Sequence, residues 1–242
     1  MRIAVVGFSF NLIGGLEIVS KAIANVLARR GHHVECLALH ECGRSSTDSF
    51  EIVGLAPRNG LIRSIASRFP AIGSDAAIRR HLRHADIVIA AHAHVLPAIL
   101  PTIAALPSRP RVITWLHGRE VWASLGAKIA PCLARSDFLV SVSHYTAQAV
   151  RRLLPNSREA YVIHNPVDTD IFAPAASSAA ICRHHVLTVG RHDLDSRHKG
   201  YAVLVDAIDL LRHRRPELPL RLTITGTGPL LDEHRRQIAD LG

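Results

Sequence analysis

The chain has 242 residues, enough for one large domain or two smaller ones with a buried core. Hydrophobic residues make up 48% of it and aromatic residues only 5%, which is typical of a globular α/β protein and excludes a disordered tail. The formal net charge of +9 favours polyanionic partners, namely nucleic acid, anionic lipid or phosphorylated substrates. Because arginine supplies nearly all of this charge, as a general compositional bias would, the charge alone identifies no partner.

The amino-terminal residues predict a strand, a helix and a second strand. The run "RIAVVG" at 2–7 ends in glycine and suits a parallel strand covered on both faces. Helical spacing of apolar residues follows, with Gly31 as the expected carboxy-terminal cap, and residues 32–40 begin the next strand. The start superficially resembles a signal peptide, but its apolar run is only one strand long and leads to Gly14 and Gly15. We therefore interpret it as part of a βαβ unit with a right-handed crossover.

The same alternation continues through the next hundred residues. Further strands are predicted at 85–91, 111–118, 136–143 and 159–166. Strands separated by helices predict an α/β fold with a doubly wound, Rossmann-like parallel sheet, whose binding crevice lies at the carboxyl ends of the strands.

Two stretches between these strands have alternative interpretations. Residues 57–73 place apolar side chains at helical spacing among arginines, which suits an ordinary solvated helix or a basic amphipathic helix docked on anionic lipid. The uncharged run 87–106 is nearly long enough to cross a bilayer. Its histidines and prolines instead favour a buried strand followed by a buried helix.

A change in composition predicts a domain boundary. Residues 167–183 contain small residues without sustained periodicity, as expected of a linker. We therefore predict an amino-terminal Rossmann-like domain at 1–166, a linker at 167–183 and part of a second α/β domain at 184–242. The second domain has two predicted strands and two predicted helices, so a sheet edge and an apolar face would be uncovered.

Turns between strands and helices hold the candidate binding residues, because backbone N–H groups at a helix N-terminus attract anions. Gly14 and Gly15 would let the backbone approach a ligand, or the turn alone would need them. Neither G-x-G-x-x-G nor a Walker A lysine is present, which disfavours dinucleotide and P-loop sites. Arg191 and Lys199 flank a polar loop between a strand and a helix and suggest a bound phosphate. His117 would point into the crevice, or would be a structural histidine bonded to a neighbouring carbonyl.

The sequence gives little support for a metal site, a disulfide framework or a nucleic-acid interface. His92 and His94 could lie on one strand face, but no carboxylate or cysteine stands nearby in the sequence, so no metal is predicted. The four cysteines lack C-x-x-C spacing and suit a reducing cytoplasm. No basic motif is studded with aromatic residues, so no nucleic acid is expected as a partner.

Six segments appear together in an order typical of one enzyme family. They are "GGLE", "WLHG", "VSHYTAQAV", "VIHNPVDTDIF", "TVGRHDLDSRHKGYAVLVDAI" and "LTITGTGP". Over essentially its whole length the chain resembles the GT-B glycosyltransferases of family 4. This resemblance implies a retaining hexosyltransferase that uses a UDP- or GDP-sugar and a glycan or lipid-linked acceptor. It also implies that the first domain binds the acceptor and the second binds the donor.

The resemblance assigns roles to particular residues. Gly14 and Gly15 would approach the donor phosphates, His117 would contact the sugar, and Arg191 with Lys199 would hold the diphosphate. Family members of this type generally need no divalent metal, so no cofactor is expected here. The protein would be cytoplasmic, with possible peripheral contact with an anionic membrane at its inner face.

The chain departs from the family pattern in its second domain. That domain normally continues to a pair of glutamates that this sequence does not reach, so we expect a truncated carboxy-terminal domain. One alternative is a non-catalytic or split fragment that binds acceptor and needs the missing segment for activity. A sugar-nucleotide epimerase of the same architecture is the third possibility.

Overall fold

The structure is a computed structural model that describes residues 1–12, 14–56, 75–122, 125–174, 184–194 and 199–240. The chain divides into two compact units, Met1–Asp168 and Thr169–Gly242. The predicted helix at 57–73 and much of the predicted linker lie outside the described residues. None of the helices within the described ranges combines the length and the apolar character needed to cross a membrane.

An eight-stranded sheet forms the first unit, in the order β3-β4-β2-β1-β5-β6-β7-β8. Its strands are β1 (Arg2–Gly7), β2 (His33–Ala38), β3 (Cys42–Ser46), β4 (Glu51–Leu55), β5 (Ile87–Ala90), β6 (Arg111–Leu116), β7 (Phe138–Ser141) and β8 (Ala160–Val162). Neighbouring strands are parallel except for the antiparallel pair β3 and β4. The carboxyl ends of β1, β5 and β6 are therefore neighbours at one edge of the sheet.

Helices cover both faces of this sheet, as a doubly wound fold requires. They are α1 (Gly15–Arg29), α2 (Asp75–Leu82), α3 (Leu96–Ala104), α4 (Arg119–Trp122), α5 (Ile129–Ala134) and α6 (His144–Leu153). Side chains of successive strand residues alternate between two cores. One core joins β1 and β2 to α1, and the other joins the opposite sheet face to α2, α3, α5 and α6.

Strands β3 and β4 were not predicted. Four of the five β3 residues are exposed, so this edge strand has no alternation of apolar and polar residues. Gly54 of β4 is needed for close packing, because a Cβ atom there would lie 2.6 Å from backbone atoms of Cys42. The other predicted strands of the sheet and the buried helix after β5 are confirmed.

The second unit contains β9 (His185–Val189), α7 (Tyr201–Arg214), β10 (Arg221–Thr225) and α8 (Leu231–Asp240). Its two strands are parallel and paired from His185–Arg221 to Val189–Thr225. Leu187 and Val189 are exposed, as predicted for a small open sheet. This confirms the predicted strand-helix-strand-helix order.

Candidate active site

The carboxyl ends of β5 and β6 bring His92 and His117 together in the first unit. Their rings are nearly parallel, at an angle of 12°, with centroids 6.2 Å apart. The ring of Phe8, which follows β1, lies 5.9 Å from that of His92. The predicted crevice edge of the first unit therefore carries a cluster of partly buried rings.

The ring of His117 is oriented by a backbone carbonyl. Its Nε2 lies 2.9 Å from the carbonyl oxygen of Ala91, so Nε2 carries the proton and donates it. Burial lowers the pKa of His117, although the Ala91 contact and the charge of Glu120 oppose this shift. At neutral pH the ring is uncharged and carries its lone pair on Nδ1, which can accept a hydrogen bond from a hydroxyl group.

Glu120 holds the turn in which His117 lies. Its carboxylate accepts the backbone N–H of His117 at 2.5 Å and that of Gly118 at 2.9 Å. The side chain is only 4% exposed, so this charge is nearly withdrawn from water. Glu120 was not predicted from the sequence, although an acid four residues after a strand, in the first turn of a helix, is a recognisable capping signal.

His92 belongs to the same network and is not on a strand. It precedes a 3-10 turn at Ala93–Val95, and its Nδ1 accepts the backbone N–H of His94 at 3.2 Å. The prediction that both histidines could share a strand face is wrong, because β5 ends at Ala90. Within the described residues, no three histidine, cysteine, aspartate or glutamate side chains are grouped so that they could hold a metal ion.

Burial also sets the charge state of His92. The pKa falls to about 4, because burial disfavours the cation more than the charge of Glu120 favours it. Nearby His94 and His117 lower the pKa further. With Nδ1 engaged as an acceptor, the proton of neutral His92 lies on Nε2, which is 3.9 Å from a Glu120 oxygen.

Gly14 and Gly15 form the beginning of α1. Gly14 precedes the helix with an extended backbone (φ −159°, ψ 162°), and neither glycine has a positive φ. A Cβ atom on Gly15 would meet nothing within 4 Å, and the atoms nearest to one on Gly14 belong to the flexible carboxylate end of Glu17. Neither backbone conformation nor packing within the described residues therefore requires glycine at this helix N-terminus.

A second carboxylate shapes the loop that leads to Gly14. Glu41 accepts the backbone N–H groups of Phe10 and Asn11, both at 2.9 Å, and the hydroxyl of Ser9. Burial opposes ionisation of Glu41, but these hydrogen bonds prevail and lower its pKa. Glu41 was not predicted from the sequence either, because its partners lie thirty or more positions away in the chain.

Lys199 and Arg191 lie on the loop between β9 and α7 in the second unit. A Cβ atom on Gly190 would lie 2.2 Å from the hydroxyl of Tyr201 and 2.8 Å from Nζ of Lys199, so the ammonium lies against the end of β9. Arg191 is largely exposed, and its Nε is 3.4 Å from a carboxylate oxygen of Asp193. Residues 195–198 of this loop lie outside the described residues.

Buried rings and two glycines support this loop. The fully buried ring of His192 stacks on Tyr201 with centroids 4.5 Å apart, and its Nδ1 lies 2.8 Å from Nδ1 of His234. Burial lowers the pKa of His192, and His234 and Lys199 add to the effect. Gly226 and Gly228 have φ values of 138° and 147°, and Cβ atoms there would clash with carbonyl oxygens of the β9–α7 loop.

Comparison with known proteins relates this chain to a protein family. The family described as Glycosyltransferase Family 4 matches residues 13–171. A phosphatidyl-myo-inositol mannosyltransferase of Mycobacterium tuberculosis is 29% identical over 246 residues, which cover 94% of this chain and 61% of that protein. The enzyme of the same name from Mycobacterium bovis matches to the same extent. The chain thus spans 61% of the length of these curated relatives.

Solved structures share the fold over the whole chain. The apo lipopolysaccharide outer core galactosyltransferase WaaB is 16% identical with a TM-score of 0.66, and the match covers 100% of this chain and 65% of that one. Anabaena HepE, solved in complex with UDP-glucose, is 16% identical with a TM-score of 0.67, covering 100% of this chain and 66% of that one. The chain therefore belongs to Glycosyltransferase Family 4 and has the Rossmann-like α/β architecture of the GT-B fold.

Proposed function

We propose that the protein is a glycosyltransferase that moves a hexose-type sugar from a UDP- or GDP-sugar to a glycan or lipid-linked acceptor, with retention of configuration. The observation that carries this proposal is that glycines occupy the N-terminus of α1. Gly14 and Gly15 are required neither by their backbone angles nor by packing among the described residues. Close approach of an anionic ligand to the N–H groups of the helix would explain why both positions are glycine.

Arg191 and Lys199 are proposed to act on the leaving group. As the bond between the sugar carbon and the phosphate oxygen breaks, negative charge grows on the nucleoside diphosphate. Cations already in position favour that state over the ground state and so accelerate the reaction. The packing of Lys199 against Gly190 supports such pre-positioning. No divalent metal is part of this proposal.

His117 is proposed to bind a hydroxyl group of the transferred sugar. The proton on Nε2 is engaged by Ala91, so Nδ1 of the neutral ring is an acceptor for a hydroxyl proton. Burial keeps the pKa of His117 low, which preserves this acceptor at neutral pH. His117 would therefore bind and orient the sugar without a change in its own charge.

Release of nucleoside diphosphate from a panel of UDP- and GDP-sugars, with and without acceptor, tests the proposal. Arg191→Ala and Lys199→Ala should each lose roughly 3–4 kcal/mol of transition-state stabilisation, as for the loss of an oxyanion donor. Arg212→Ala, which changes an exposed arginine in the last turn of α7, is the matched control. Full turnover by Arg191→Ala would overturn the assignment.

A second function is a fragment that binds acceptor but needs a further polypeptide segment for catalysis. One observation favours it: Leu187 and Val189 are exposed on the two-stranded sheet of the second unit. Calorimetry distinguishes the two functions, since an enzyme should bind nucleotide sugar unaided and a fragment should not. Product analysis in the absence of acceptor would reveal a sugar-nucleotide epimerase.

We further propose a cytoplasmic location with peripheral contact at an anionic membrane. The basic segment 57–73 that motivates this contact lies outside the described residues, so the support comes from the sequence. Sedimentation of the protein with anionic vesicles tests it. Charge reversal at Arg63 and Arg68 should abolish that sedimentation, and unchanged sedimentation would remove the hypothesis.

A further inference from the structure

Two aromatic side chains are exposed beside the turn that carries His117. Trp122, at the end of α4, is 46% exposed, and Tyr145, in the first turn of α6, is 59% exposed. Their rings meet edge to face, with centroids 5.6 Å apart and an angle of 80° between planes. Both follow the carboxyl ends of neighbouring strands, β6 and β7, on the same side of the sheet as His117.

The indole of Trp122 is anchored although nearly half of it is exposed. Gly118, with a φ of 146°, lies so close beneath it that a Cβ atom there would be 2.3 Å from Cζ2 of the indole. The indole N–H donates to Oγ1 of buried Thr146 at 3.2 Å, and Ser143 in turn accepts the backbone N–H of Thr146. The ring is therefore held in place before any ligand arrives, which lowers the entropic cost of binding.

Anchoring in this way leaves a ring surface rather than a polar group for a ligand. Because the indole N–H is engaged by Thr146, the apolar ring atoms are the part of the indole left to contact a ligand, and the face of an aromatic π system carries negative potential. Pyranoses and cyclitols have an apolar face of axial C–H bonds with partial positive charge, which complements such a surface. A flat ring polyol can thus bind here without a hydrogen bond to the indole.

The two rings lie next to the proposed sugar contact. Within residues 117–122 and 143–150, Trp122 and Tyr145 are the exposed large hydrophobic side chains. Gly118 also follows His117 directly, so a ring on this patch would lie beside the proposed sugar contact.

We propose that Trp122 and Tyr145 form a stacking subsite for a ring polyol, a pyranose or cyclitol, of the acceptor. The assignment to the acceptor rests on the proposed glycosyltransferase function, whereas the stacking itself does not. The subsite contributes to acceptor binding and takes no part in the leaving-group chemistry of the donor. It would select acceptors that present an unhindered C–H face next to the reacting hydroxyl group.

The two tryptophans of the chain make the subsite directly observable. Trp115 is only 8% exposed and serves as an internal reference for Trp122. Methyl β-D-glucopyranoside and myo-inositol are the probes, with acyclic glycerol as the negative control. We expect either ring polyol to shift the tryptophan fluorescence emission to shorter wavelength in a saturable way and to reduce its quenching by acrylamide. Trp122→Phe should show neither effect.

Variants separate stacking from a general solvent effect. Tyr145→Ala should bind the ring polyols about tenfold more weakly, because the ring that meets the indole edge to face is lost. Tyr161→Ala is the matched control, since Tyr161 is 62% exposed and lies on the edge strand β8. Saturation-transfer NMR should place the strongest transfer on the axial protons of the glucoside, and this transfer should vanish in Trp122→Ala.

Three results would overturn the subsite. The first is an emission shift with glycerol equal to that with the ring polyols, and the second is unchanged affinity of Tyr145→Ala for the ring polyols. The third is an emission shift with anionic phospholipid vesicles but with neither ring polyol, which would make the patch a membrane contact. Release of nucleoside diphosphate is measured separately. If the wild-type protein releases no nucleoside diphosphate but still responds to the ring polyols, the proposed function is refuted and the stacking subsite is not.

Discussion

The loop that carries His117 and the loop that carries Lys199 are held in place by different means. In the first unit, the nearly buried carboxylate of Glu120 receives two backbone N–H groups, and Glu41 does the same for the neighbouring turn. In the second unit, Gly190 allows Lys199 and Tyr201 to approach the strand end so closely that a methyl group would not fit. Charge-assisted hydrogen bonds position the first loop, and steric fit positions the second.

Each loop should therefore fail under a different kind of substitution. A loop held by a buried carboxylate is sensitive to loss of charge, because its backbone donors are then left unsatisfied. A loop held by close packing is sensitive to added volume. The exposed side chain of Arg191 lies at the other extreme, since its ion pair with Asp193 contributes little to stability.

The largest effect is expected from Gly190→Ala in the second unit. The added methyl group would occupy the space of the Tyr201 hydroxyl and Nζ of Lys199, and so displace the ammonium from the strand end. Turnover of nucleotide sugar should fall roughly 100- to 1000-fold, as for removal of a charge-stabilising donor. Steady-state kinetics measure the loss, and a thermal melt verifies that the variant is folded.

Gly126→Ala is the control for an added methyl group, because its Cβ atom would lie 3.9 Å from Ile129 in ordinary contact. It should retain full turnover. Unchanged turnover in folded Gly190→Ala would mean that the position of Lys199 has no bearing on the reaction.

Glu120→Gln is the complementary test in the first unit. The amide keeps one acceptor but turns an N–H group toward a backbone donor, so we expect a loss of roughly 1–3 kcal/mol in the free energy of unfolding. Urea denaturation measures this loss. The pKa of His117 should also fall further, because the charge of Glu120 raises it in the native protein.

NMR titration of the His117 ring measures that second effect and separates positioning from stability alone. Glu51→Gln removes a comparatively exposed carboxylate that pairs with Arg44, and it should change neither quantity appreciably. A normal His117 titration in Glu120→Gln would show that the carboxylate does not act on the ring.

The ring cluster of the first unit should make stability depend on pH. The pKa of His92 in the folded protein is lowered to about 4, and that of His117 is lowered as well, so the unfolded chain binds protons more readily. The contribution of these histidines to the free energy of unfolding is fully present above the unfolded pKa near 6.5. It declines as the pH falls toward 4, by up to roughly 1.4 kcal/mol per pH unit for each proton.

Urea denaturation at pH 7, 6 and 5 measures this decline. His92→Asn should flatten it, whereas His213→Asn, at an exposed position on α7, should leave it unchanged. Equal slopes in the wild-type protein and His92→Asn would contradict the burial of a neutral imidazole.

Apolar runs predicted the central strands because parallel strands buried on both faces need continuous hydrophobic sequence. The edge strand β3 escaped prediction because its side chains are mostly exposed and impose no period. Glu41 escaped because its partners lie thirty or more positions away in the chain. Glu120 escaped because the helix at whose start it lies, α4, has only four residues and no sustained apolar period. Positions in strand-to-helix turns and the resemblance to a family both indicated Gly14, Gly15 and His117, but the tautomer of His117 follows only from its contact with the Ala91 carbonyl.

The smallest effect, and the one that separates turn from ligand, is expected from Gly15→Ala. A methyl group at this first position of α1 would meet open space, so it should raise the free energy of unfolding by about 0.4–1 kcal/mol through a less flexible unfolded chain. If the pair exists for a ligand, the same methyl group should weaken binding of nucleotide sugar. Calorimetry and urea denaturation on one preparation measure both quantities. A variant that is more stable and binds nucleotide sugar as tightly as the wild type does would show that neither the turn nor the ligand requires this glycine. The helix N-terminus would then no longer support the proposed donor binding.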